Sequence, residues 1–187
     1  MITRETYAPG AATGAEVRKE GDTWTLVLVR QLPHPPTKVW QALTDPAQLR
    51  EWAPFDADRN LGTTGPVKLT TVATPAPNIS ETSVKRAEAP TLLEYSWGGN
   101  DIRWELEPLA NGTRLTLWHN IGRRFVSMGA AGWHICFDVL DRFLAGHPIG
   151  RLVGGEAMKF EWQRLNAEYS RQFGIEAMKP PPQRERR

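Results

Sequence analysis

Apolar residues change their spacing along the chain in a definite order. Trp24-Thr25-Leu26-Val27-Leu28-Val29 is apolar at both parities, which predicts a strand covered on both faces. Pro33, Pro35 and Pro36 stop it. A proline fits a helix's first turn but not its middle, so Pro36 opens a helix over 37–43 with Val39, Trp40 and Leu43 on one face. Asp45 caps a second short helix that has Pro46 in its first turn and runs to Trp52. Strands follow at 67–72, 79–87, 92–97, 102–107 and 113–120, with turns at Gly98-Gly99-Asn100-Asp101 and Asn111-Gly112. In Ile102-Arg103-Trp104-Glu105-Leu106-Glu107 strict alternation puts Ile102, Trp104 and Leu106 on one face. Leu115, Leu117 and His119 share a face that hairpin register sets beside them. After Gly122 the period becomes helical. Trp133, Cys136, Phe137, Leu140, Phe143 and Leu144 form a stripe over 129–145, ended by Gly146 and Pro148. A further helical run from about Glu156 carries Trp162, Leu165 and Tyr169.

This order implies an α+β fold: a curved antiparallel sheet gripping one long C-terminal helix, with two short helices after the first strand. Residues 23–174 form one domain, with 147–174 as a helical extension. Residues 1–22 lack an apolar period and read as a flexible arm, and the proline-rich stretch 175–187 reads as a disordered tail. The stripe of Trp162, Leu165 and Tyr169 either packs on the sheet's outer face or builds a homodimer interface, with outward-facing Trp118 as its partner in both cases. A cavity between sheet and helix is the natural site in such a fold. Its expected lining is Trp97, Trp104, Leu117, His119, Trp133, Phe137 and Leu140.

Composition narrows the chemistry. The chain has 187 residues, 40% hydrophobic and 24% charged, the length and balance of one folded domain. A net charge of +2 gives no electrostatic case for nucleic acid. No apolar run is long enough for a membrane span. The first thirty residues hold no signal-like apolar core, so the expected location is the cytoplasm. One cysteine, Cys136, excludes an internal disulfide and reads as an inert buried thiol. Eight tryptophans point to an unusually aromatic interior.

No catalytic signature emerges, and no cofactor or metal is expected. The histidines His34, His119, His134 and His147 show no helical pairing of the kind a metal site needs. His119 faces inward, where three roles stay open: a histidine bonded to backbone, a ligand contact, or an acid–base group. His134 is expected at the surface, and His34 and His147 beside prolines in turns or solvent. Asp138 and Asp141 lie off the apolar stripe, on what is ordinarily a solvated face. Trp40 and Trp52 are assigned to the scaffold of the helix pair rather than to ligand.

The run Leu32-Pro33-His34-Pro35-Pro36-Thr37-Lys38-Val39-Trp40-Gln41-Ala42-Leu43-Thr44-Asp45-Pro46, with Trp52 behind it, resembles the START-like helix-grip superfamily. More narrowly it resembles the branch named after the C-terminal domain of the activator of heat shock protein 90 ATPase. Gly112-Thr113-Arg114-Leu115-Thr116-Leu117-Trp118-His119-Asn120 and Gly132-Trp133 fit the same pattern, so the resemblance spans about residues 23–146. It implies an interior cavity for a small apolar or amphipathic molecule or lipid, and no shared catalytic residues. The alternative it carries is a protein-interaction or stress-response role with a chaperone as partner. The activator's additional N-terminal domain has no room before residue 23, which counts against that alternative. An enzyme using the same pocket is the third reading.

Overall fold

The computed structural model describes residues 1–72 and 76–176. Nine strands occur in it: β1 (Ala15–Glu20), β2 (Thr23–Leu32), β3 (Phe55–Ala57), β4 (Gly65–Thr71), β5 (Asn78–Val84), β6 (Arg86–Glu88), β7 (Leu92–Trp97), β8 (Asn100–Leu109) and β9 (Gly112–Asn120). The helices are α1 (Pro36–Thr44), α2 (Pro46–Trp52), α3 (Val126–Leu144) and α4 (Trp162–Phe173), with short 3₁₀ turns at Arg123–Phe125 and Gly154–Lys159. Six strands form the curved main sheet in the order β1-β2-β9-β8-β7-β6, and β3-β4-β5 form a smaller one. All neighbours pair antiparallel.

Local chemistry explains the elements. Asp45 accepts from the Ala47 backbone N–H at 2.9 Å and caps α2, as expected of an aspartate directly before Pro46. Gly112 closes the β8–β9 turn hard against β2: a Cβ there would lie 2.0 Å from the Leu32 carbonyl oxygen, so only glycine fits. Register across the sheet aligns Leu26, His119, Ile102 and Tyr95 in one inward row, and Leu28, Leu117, Trp104 and Leu93 in the next. The helix α3 crosses this face and α2 leans on α3, so the main core lies between sheet and helices.

Three expectations are corrected. The segment before residue 23 is not a loose arm: β1 pairs along β2, and Tyr7 and Ala12 are buried. It is held by bonds from distant residues, which no local pattern announces. Gln172 Nε2 donates to the Ala12 carbonyl, Arg164 Nη2 to the Pro9 carbonyl, and Arg4 Nη1 to the carbonyls of Ile149 and Arg151. The α4 helix does not cover the sheet's outer face. It packs along α3 beside the N-terminal segment, while Trp118 is covered instead by Arg18, whose guanidinium sits 4.7 Å from the ring centroid. As a result α3 is buried on two faces, and His134 and Asp138 are interior rather than solvated. His134 is 3% exposed and its Nδ1 lies 2.7 Å from Tyr169 Oη. His34 is also buried, 2.7 Å from Asp141. The proposed tail lies outside the described residues from 177 onward.

Asp138 is the hub of this second layer. Its two carboxylate oxygens accept from Arg30 Nη1 and Tyr7 Oη, each at 2.5 Å, and His134 Nε2 is 3.6 Å away. Arg30 and Asp138 keep 21% and 17% of their side-chain surface, so losing one partner strands a mostly desolvated charge. Arg30→Met is expected to cost about 2–3 kcal/mol, below the fully buried range because some water reaches the pair. Urea unfolding checks this, and Arg30→Met/Asp138→Leu is expected to recover part of the loss.

Candidate functional site

The inward rows of β8 and β9 and the stripe of α3 meet in a layer of rings. Trp104 and Trp133 have centroids 5.4 Å apart at 84°. Trp97 and Trp133 lie 5.9 Å apart at 75°, and His119 and Trp133 6.0 Å apart at 79°. Each is an edge-to-face arrangement, which suits the quadrupoles of aromatic rings. His119 stacks on Trp97 at 5.8 Å and 27°. Phe137 closes one side against Trp104 and Trp133 at 5.9 and 6.3 Å.

Six of the seven residues expected to line the site are buried here or beside it: Trp104, Leu117, His119, Trp133, Phe137 and Leu140. Trp97, the seventh, is half-buried at the end of β7. Leu117 sits in the sheet row with Trp104 and Leu28; Leu140 is one turn beyond Phe137 and shares the core without joining the rings. The cavity expected from the fold is filled at this level by the rings themselves. Two concavities, of about 370 and 340 Å³, lie elsewhere. One is on the outer face beside Arg18, Arg103 and Trp118, and the other is beside Tyr7, Arg142 and His147.

Sequence reasoning placed Trp52 in the scaffold only. In the structure its ring lies 6.0 Å from Trp104 and 6.5 Å from Trp133. Phe55 and Tyr95 extend the layer, with Phe55 5.1 Å from Trp97 and 6.1 Å from Tyr95. Nothing in the periodicity of α2 or β3 signals this, because it depends on how those elements dock. Tyr95 lies on the inward face of β7 with Leu93.

Polar groups in the layer are accounted for one by one. Trp104 Nε1 donates to Tyr95 Oη at 3.0 Å, Trp52 Nε1 to the Ala42 carbonyl at 2.9 Å, and Trp97 Nε1 to Thr71 Oγ1 at 2.7 Å. Trp133 Nε1 donates to His119 Nδ1 at 3.1 Å. An Nδ1 that accepts leaves the imidazole hydrogen on Nε2. That Nε2 is shielded from solvent and has no hydrogen-bond partner among the described residues. Burial holds the His119 pKa down to about 4, so the ring is neutral at ordinary pH. Burial pushes the Tyr95 phenol up and the Cys136 thiol up to about 12, which keeps both protonated. The layer therefore offers apolar walls and two neutral donors without an acceptor among the described residues, the His119 Nε2–H and the Tyr95 O–H. Among the described residues no group of three or more His, Cys, Asp or Glu side chains is arranged to hold a metal ion.

Known proteins give this geometry a context. A conserved protein of unknown function from Enterococcus faecalis is 17% identical over 84% of this chain and 89% of its own, with a TM-score of 0.62. The solution structure of CalU16 from Micromonospora echinospora is 20% identical over 89% and 96%, with a TM-score of 0.61. A protein from Mesorhizobium loti is 25% identical over 65% and 97%, with a TM-score of 0.58. These likenesses concern the helix-grip fold. No curated protein matches the chain. The family model described as Activator of Hsp90 ATPase homolog 1-like protein matches residues 33–145, from the turn before α1 to the end of α3. The chain belongs to that family.

Proposed function

We propose that this protein binds a small, uncharged, amphipathic molecule between the main sheet and α3, oriented by His119. The observation that carries this reading is the unpartnered Nε2–H of His119, buried among indoles. A buried donor left unmade costs about 1–3 kcal/mol. A ligand carbonyl, ether or hydroxyl oxygen placed there recovers that energy. The neighbouring surfaces are aromatic, which suits a flat or extended apolar body. The absence of a facing charge in the layer disfavours an ionised ligand head. Trp97 marks the mouth: it is the half-buried member, it covers His119, and it ends β7 beside Gly98 and Gly99. In this reading the ligand enters where Trp97 gives up its bond to Thr71 and moves off the imidazole.

Binding is favoured over catalysis because a histidine held near a pKa of 4 is a weak base. The nearest phenol, Tyr95, already accepts from Trp104 and stays protonated.

Native mass spectrometry of gently purified protein is expected to show a reproducible extra mass that is lost on denaturation. Nile red, a neutral dye with a carbonyl acceptor, is expected to bind as a surrogate, and His119→Leu to weaken it about tenfold, the equivalent of one hydrogen bond. Thermal unfolding of His119→Leu checks that the fold survives. A bare mass together with no dye binding by the parent protein would overturn the proposal.

Stability is expected to fall with pH in a definite window. In the unfolded chain histidine takes up a proton near pH 6.5, whereas folded His119 resists until about 4. Between those values the unfolded state binds more protons, so stability declines as pH drops from about 6.5 to about 4 and then levels. The burial that depresses His134 acts in the same direction. Urea midpoints measured from pH 7 to 4 are expected to fall, and His119→Gln to flatten the slope. An unchanged slope in that variant would contradict the assignment.

A further inference from the structure

At one end of the main sheet, the β1–β2 turn, the end of β9 and the start of α3 come together. Thr25 pairs with Asn120, and the Ile121 N–H donates to the Trp24 carbonyl at 3.0 Å. Two cations converge on one ring there: Lys19 Nζ lies 5.5 Å from the Trp24 centroid and the Arg123 guanidinium 5.8 Å. Arg124 is exposed beside them. Among the described residues none of these three has a carboxylate at ion-pairing distance. Cations elsewhere on the sheet are matched: Arg18 with Glu16, Arg103 with Glu105, Lys85 with Asp101, and Arg114 with Glu107. Like charges gathered without a counter-ion repel each other unless an anion joins them.

Two further features share this place. The 3₁₀ turn, closed by the Phe125 N–H to the Gly122 carbonyl at 2.8 Å, presents Phe125 with 48% of its surface exposed. The helix α3 starts there without a side-chain cap and with no acidic residue in its first turn, so its positive end is uncompensated. The acidic neighbours are Glu20 at the end of β1 and Asp22 in the turn after it, both exposed, which leave an excess of one positive charge over these five residues.

We propose that this end of the protein docks on an anionic lipid surface, with Lys19, Arg123 and Arg124 at the phosphates and the Phe125 ring in the interfacial layer. An exposed aromatic ring set among unpaired guanidinium groups fits a boundary that is charged outside and apolar just beneath. Three basic side chains give reversible rather than permanent attachment. The inference is independent of the site at His119.

Co-sedimentation with phosphatidylcholine vesicles containing about one-third phosphatidylglycerol, at low ionic strength, tests it. The wild-type chain is expected to partition onto these vesicles, to partition less as salt rises, and to ignore pure phosphatidylcholine. Each basic residue near such a surface is worth about fivefold, so Arg123→Glu/Arg124→Glu is expected to lower partitioning more than tenfold. Phe125→Ser is expected to lower it severalfold with the salt dependence kept. These positions are exposed, and an unchanged melting temperature verifies the fold. Equal partitioning onto neutral vesicles, or an unaltered Arg123→Glu/Arg124→Glu variant, would overturn the proposal. So would capture by heparin with no vesicle binding, which would assign the patch to an acidic macromolecule.

Discussion

The helix α3 carries the sheet on one face and α4 with the N-terminal segment on the other, so polar side chains caught between these layers must find partners inside the protein. Asp138 meets that demand with Arg30 from β2 and Tyr7 from the N-terminal segment. His134 meets it with Tyr169 of α4, whose hydroxyl also reaches the Thr13 backbone. Three separate stretches of chain are thereby tied to one helix by directed bonds, where apolar contact alone would leave their relative positions loose. The apolar stripe of α3 then stays fixed against the sheet, and with it the placement of Trp133 and Phe137.

In the ring layer the indole N–H groups are paired, whereas the His119 Nε2–H is not. Four indole N–H groups each have an acceptor, and one of those acceptors is His119. By accepting from Trp133 the imidazole commits its hydrogen to the opposite nitrogen, where nothing receives it. A core selected only for stability would place an apolar ring at that point, because an unmade buried hydrogen bond is a net loss. That unpaired nitrogen lies beside the one half-buried tryptophan of the layer.

What the sequence disclosed divides along the same lines. The strict alternation at 102–107, the proline before α1 and the Asp45-Pro46 pair located β8, α1 and α2, since each is a local rule with a local cause. Alternation in β9 and the α3 stripe were enough to face His119, Leu117, Trp133 and Phe137 toward one another. The second covering of α3 was not legible. Tyr7 and Ala12 are isolated in a polar stretch, and their burial is created by residues more than a hundred positions away. For the same reason His134 and Asp138 read as surface groups: a helix period reports one buried face, and the second exists only once α4 has docked. Trp52 escaped assignment to the site because its reach depends on the angle between α2 and α3, which no spacing encodes.

That second covering has a bearing on how the chain is made. The bonds from Arg4, Tyr7, Ala12 and Thr13 close loops of 131 to 160 residues. Contacts so distant in sequence pay their loop-closure entropy late, and those of Ala12 and Thr13 cannot form before α4 is available. During synthesis β1 and β2 emerge early as a lone hairpin, marginal on its own, with inward-facing Leu26 and Leu28 uncovered until β9 and α3 arrive. The clasp of the N-terminal segment onto α4 therefore forms late, after the hairpin it flanks has found its place against β9 and α3.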